Sequence, residues 1–142
     1  MVNVLVPVDD SDRATNALEF ALENYPDASI TALHVINPGE FPAGGLESGI
    51  TTDVEQIRET KRKQAEELLE NFRRTAADRG IEIETATKTG KAARAIVDYA
   101  EDNDVDVITI GSHGRTGASR VLLGSVAETV VRRSPVPVTV VR

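Results

Sequence analysis

Val105-Asp106-Val107-Ile108-Thr109-Ile110 runs directly into Gly111-Ser112-His113-Gly114-Arg115-Thr116-Gly117-Ala118-Ser119-Arg120-Val121-Leu122-Leu123-Gly124-Ser125. The first segment is mostly apolar and of strand length, which predicts a strand buried on both faces. The second is glycine-bearing and leads into a short helix ending near Arg133. Strand, glycine turn and helix in that order form one unit of an α/β sheet, where ligands bind beyond the carboxyl ends of the strands. Glycines there let backbone approach an anion, and a helix N-terminus offers unpaired N–H donors. The segment therefore reads as an anion-binding turn. The competing reading is a glycine-rich connection that only turns the chain.

Outward from this stretch the same alternation holds. Val2 to Val8 is a near-continuous apolar run, and Asp10, Ser11 and Asp12 supply helix N-cap chemistry after it. Ala14, Ala17, Leu18, Ala21 and Leu22 follow at helical spacing, and Ser29 to Ile36 reads as a second strand. Residues 38–52 carry Pro38, Gly39, Pro42, Gly44, Gly45 and Gly49 and read as a long loop. From Asp53 to Asp78 the period is helical, with Val54, Ile57, Ala65, Leu68, Leu69, Phe72 and Ala76 on one face. Glu59 with Lys63 and Glu70 with Arg74 are spaced for i,i+4 pairing, and Gly80 stops the helix. Ile81 to Thr85 alternates strictly, which predicts a half-exposed third strand at a sheet edge. Gly90 opens a helix bearing Ala93, Ile96, Val97 and Ala100, and Val136 to Val141 is the last strand. Strands separated by helices predict parallel pairing through right-handed crossovers.

The last strand combines an apolar face with Pro137, which cannot donate to a ladder and so places the strand at an edge. An exposed apolar edge invites pairing, so Val136–Val141 is a candidate homodimer seam. A covering element of the same chain is the alternative.

Composition narrows the function classes. The chain has 142 residues with 16 Lys+Arg against 23 Asp+Glu, a net charge of −7, and no cysteine. That predicts a single domain over 1–142, excludes a disulfide scaffold, and argues against a duplex-binding surface. No apolar run is long enough for a membrane span, and the N-terminus lacks a basic region ahead of its apolar stretch, so a cytoplasmic location is expected. Arg outnumbers Lys twelve to four, which fits genome composition or salt adaptation. Gly90-Lys91 is the one Gly-Lys pair, but Thr85 and Ala92 break the G-x-x-x-x-G-K-[ST] pattern. The first strand ends without glycine, and Gly111, Gly114 and Gly117 have the wrong spacing for a dinucleotide fingerprint.

Gly111-x2-Gly114-x9-Gly124-Ser125 is similar to the G-2x-G-9x-G-[ST] signature of the ATP-binding branch of the universal stress protein family. Ile110 to Thr116, Leu122 to Ala127, Ser134 to Val138, Val6 to Asp9 and His34-Val35 also resemble it, so the likeness spans essentially the whole chain. The resemblance implies an open five-stranded parallel α/β sheet in order 3-2-1-4-5, with helices on both faces and dimers formed through the fifth strand. It further implies that Pro7, Val8, Asp9 and Val35 frame the adenosine of ATP, ADP or AMP. Ile110 and Gly111 would meet the ribose and phosphates, and Gly114, Arg115, Gly124, Ser125 and Val126 the phosphates. Asp9 would lie near a Mg²⁺ or Mn²⁺ ion carried by the nucleotide. Gly90-Lys91-Ala92-Ala93 departs from the family in lacking a proline.

Plainer readings stand beside these. His113 is a loop residue rather than a catalyst, His34 is a satisfied structural histidine, and Asp10 is a helix cap. Arg115 has a stronger claim on phosphate than Arg120, while Arg132 and Arg133 complement a helix dipole. The resemblance implies an ATP-binding stress-response module with at most slow hydrolysis, since few groups for phosphoryl transfer can be named. The alternatives are an adenylating enzyme and a nucleotide-independent interaction protein.

Overall fold

The computed structural model describes residues 1–38, 54–113 and 123–142. In chain order these form β1 (Asn3–Pro7), α1 (Asp12–Asn24), β2 (Ser29–Ile36), α2 (Val54–Ala77), β3 (Glu84–Thr89), α3 (Ala92–Asp102), β4 (Val107–Gly111), α4 (Ser125–Arg133) and β5 (Val138–Val141). The five strands make one sheet in order β3-β2-β1-β4-β5, and every neighbouring pair is parallel. The expected architecture is the one observed.

Alternating side chains send the central strands into two cores. Val4, Val6, Ile30, Ala32 and Val107 pack against α1 and α2, where Leu18, Leu22, Leu69 and Phe72 meet them. Leu5, Leu33, Ile108 and Ile110 point the other way, onto Ile96 and Ala100 of α3 and Ala127 and Val130 of α4. Two-sided burial is why β1 and β4 read as near-continuous apolar runs. Each fully buried Leu or Ile contributes about 1.5–3 kcal/mol relative to an exposed one.

Four details correct the sequence reading. Ladder pairing on the third strand begins at Glu84, opposite Thr31, rather than at Ile81. The Ile81 N–H donates back to the Ala76 carbonyl at 3.0 Å to close α2, with Gly80 beside it at φ +74°. The alternation of Ile81 and Ile83 therefore records packing on the α1–α2 core, not a ladder. The α1 cap is Ser11, whose side chain accepts from the Ala14 N–H, rather than Asp10. Glu59 and Glu70 pair at i,i+3 with Arg62 and Arg73. The last strand starts at Val138, so Pro137 stands just outside it, its carbonyl accepting from the Ile108 N–H at 3.0 Å.

The two sheet edges differ. β3, Glu-Thr-Ala-Thr-Lys-Thr, is mostly polar, and Arg73 donates to its Thr85 hydroxyl at 2.9 Å. β5, Val-Thr-Val-Val, leaves Val140 37% exposed on the opposite edge. No helix among the described residues is long and apolar enough to cross a membrane.

Candidate functional site

In this strand order β1 has β2 on one side and β4 on the other, so the connections leaving β1 and β4 diverge and open a crevice at their carboxyl ends. Val4, Leu5 and Val6 anchor β1 in the core, and the chain leaves the sheet after Pro7. The Val8 N–H still donates to the Leu33 carbonyl at 2.8 Å. Nδ1 of His34 lies 2.8 Å from the Val8 carbonyl oxygen. The Asp9 carboxylate then accepts from the Ser11 N–H at 2.9 Å and from the Ser11 hydroxyl, which itself accepts from the Ala14 N–H at 3.2 Å. The first turn of α1 is thus capped from within the chain.

Across the crevice, β4 ends at Gly111 against the backbone of Arg13 in α1. The buried Ser112 donates its N–H to the Val141 carbonyl at 2.7 Å and accepts from the Gly124 N–H at 2.6 Å. One backbone hydrogen bond thus ties the end of β4 to the N-cap of α4. His113 Nδ1 lies 3.0 Å from the Ser112 hydroxyl. Gly124 is the N-cap of α4 and brings no side-chain cap to its first turn. The leading N–H groups there form a donor cluster at the positive end of the helix dipole.

The crevice brings together Pro7, Val8, Asp9, Val35, Ile110, Gly111 and Val126 of the expected residues. Gly124 and Ser125 stand next to Val126 at the start of α4. Gly114, Arg115 and most of the glycine-rich loop 38–52 lie outside the described residues. The structure adds Ser11, His34, Ala92, Ile96 and His113 to the lining. Ser11 carried only a cap signal, and the two histidines lay within stretches of family likeness but were read as structural or loop residues.

The walls are largely apolar, with a few polar groups, as small-molecule sites generally are. The cavity between the described walls is about 110 Å³, below the roughly 300–1,000 Å³ of typical ligand clefts. It suits one ring-sized group. Among the described lining residues Asp9 is the one carboxylate, and none is a lysine or arginine. Among the described residues no three His, Asp or Glu side chains converge as a metal site.

Comparison with known proteins agrees over the full length. The family model described as "Universal stress protein family" matches residues 1–142. Universal stress protein MJ0577 of Methanocaldococcus jannaschii is 34% identical over 151 residues, covering 98% of this chain and 93% of that one. The structure of universal stress protein UspA from Lactobacillus plantarum superposes with a TM-score of 0.83 at 27% identity, over 99% of this chain and 97% of that one. The universal stress protein from Archaeoglobus fulgidus, solved in complex with dAMP, gives a TM-score of 0.69 at 27% identity, over 100% and 98% of the two chains.

Proposed function

We propose that this chain, which belongs to the universal stress protein family, is an ATP-binding member that works as a nucleotide-dependent stress-response module. The observation that carries the reading is the junction of an apolar crevice with the α4 N-terminus, whose N-cap is a glycine without a capping side chain. A planar base fits the apolar walls, and a phosphate suits helix N–H donors. The relative from Archaeoglobus fulgidus in complex with dAMP supports an adenine nucleotide as the ligand class. Pro7, Val8, Asp9 and Val35 would frame the base and ribose, and Ile110 and Gly111 would meet the ribose and first phosphate. Gly124, Ser125 and Val126 would receive phosphate, together with Gly114 and Arg115 of the Gly111-x2-Gly114-x9-Gly124-Ser125 motif.

Asp9 fits a divalent cation only as one ligand among several. A hard cation takes about six oxygens, and Asp9 supplies a single carboxylate already held by Ser11. A Mg²⁺ or Mn²⁺ ion would therefore arrive on the nucleotide's own phosphates, neutralising part of their charge. The residues of the chain would bind and orient the nucleotide, and the described crevice offers no developed set of groups for rapid phosphoryl transfer. The apolar β5 edge would join a second copy into a homodimer through Val138–Val141.

Calorimetric titration with ATP and Mg²⁺, together with acid extraction of nucleotide that co-purifies with the protein, tests the reading. Saturable binding or a co-purified adenine nucleotide is expected. A flat titration of nucleotide-free protein refutes it.

A further inference from the structure

His34 lies on β2 opposite Thr87 of β3, and its half-buried ring lines the crevice. Its Nδ1 is 2.8 Å from the Val8 carbonyl oxygen. A carbonyl oxygen only accepts, so Nδ1 carries the hydrogen and the neutral ring keeps its lone pair on Nε2. Val8 is the first residue beyond β1, and its N–H is already bound by the Leu33 carbonyl at 2.8 Å. Both polar groups of Val8 are thus gripped from β2, one by backbone and one by an imidazole. The next residue, Asp9, is held from the other side by Ser11 at the start of α1. The turn between β1 and α1 has its shape fixed before any ligand arrives. Groups held in place beforehand do not have to be ordered on binding, which raises affinity.

We propose that His34 is a positioning residue for ligand binding: its Nδ1–H holds the Val8 carbonyl and so sets the Val8–Asp9 turn against which a purine base would lie. The inference rests on the reading that the crevice receives an adenine nucleotide. It gives a chemical role to a side chain whose position in a strand pattern predicts burial alone. An unsatisfied or wandering Val8 carbonyl at the rim would blur the surface that distinguishes one purine from another.

The experiment compares wild type, His34→Leu and His34→Asn by calorimetry with AMP and GMP, with thermal melts alongside. The asparagine amide places a donor near the position of Nδ1. His34→Leu is expected to bind AMP about tenfold more weakly, the scale of one lost buried hydrogen bond, and to lose part of its preference over GMP. His34→Asn is expected to recover most of both. Leucine and asparagine variants that weaken binding equally overturn the inference, as does a leucine variant that matches a wild type binding AMP. A wild type that binds neither nucleotide overturns the crevice reading along with it. The ¹⁵N shifts of the His34 ring in the wild type give a check that needs neither variant nor ligand. A hydrogen on Nδ1 is expected, and a neutral ring protonated on Nε2 overturns the contact with Val8.

Discussion

Gly111 ends β4 where it passes α1, and replacing it with alanine separates two reasons for its being glycine. Gly111 is not among the residues with positive φ, so conformational freedom does not explain it. Space does. A methyl on its Cα would stand 2.8 Å from the Arg13 carbonyl carbon, carbonyl oxygen and Cβ. Comfortable carbon contacts lie at about 3.5–4.0 Å, so α1 would have to withdraw by roughly 1 Å at its first turn. Overpacking of this kind costs about 1–3 kcal/mol, offset by roughly 0.5–1 kcal/mol gained when glycine is replaced in the unfolded chain. Gly111→Ala should therefore lose about 1–2 kcal/mol. For a chain near this size that is a fall in Tm of roughly 3–8 °C. Urea and thermal unfolding measure it. Because the clash involves the Arg13 backbone and Cβ, adding Arg13→Ala should not restore stability. A Gly111→Ala protein that melts at or above wild type would refute the packing argument. If such a protein had also lost nucleotide binding, close approach of a phosphate would remain as the reason for the glycine.

Two further outcomes follow from single features of the fold. The Thr109 hydroxyl is buried in β4 with no hydrogen-bond partner among the described residues, a condition that costs about 1–3 kcal/mol. Thr109→Val keeps the branched shape and should raise stability by about 1 kcal/mol in urea unfolding; a lower midpoint would mean the hydroxyl has a partner in solution. Val140→Lys places a charge on the exposed β5 edge and should turn a dimer into a monomer in sedimentation while leaving nucleotide affinity within about twofold, since lysine is a recognised edge-strand guard. A wild type that sediments as a monomer would remove the proposed seam.

The order of elements was legible because burial leaves its period in the sequence. Val4, Leu5 and Val6 are buried on both sides of the sheet, and the run of apolar residues says so. Neighbour order is different. Nothing in the periodicity of β1 states that it lies between β2 and β4, and that came from the family resemblance. The displaced start of β3 shows a second limit. Ile81 and Ile83 alternate because they pack into the cluster that holds Leu69 and Phe72, whereas the ladder to β2 starts only at Glu84, opposite Thr31, a boundary that this alternation does not mark. At the site, the strand-to-helix glycine segment announced itself. His34 did not, because its contact with Val8 spans 26 residues of sequence and exists only once β1 and β2 are side by side.

The way the helices begin also gives the crevice a direction. Residues at the starts of α1, α3 and α4 all line it, so three sets of leading N–H groups are near. That of α1 is already served by the Ser11 hydroxyl, with the Asp9 carboxylate bound to Ser11 in turn. A second anion there would meet a fixed negative charge and a donor already engaged. The N-caps of α3 and α4, Lys91 and Gly124, contribute no capping side chain. Of these two, α4 follows the glycine-bearing stretch of sequence that begins at Gly111, and its N-cap Gly124 is bonded to Ser112 at the end of β4. An anionic nucleotide approaching a chain of net charge −7 would therefore turn its phosphates toward α4 and its base toward β1 and β2. On this argument the Asp9–Ser11 cap would do more than start a helix: by placing the protein's own carboxylate at one N-terminus, it would leave the other end of the crevice for the charge of a bound nucleotide.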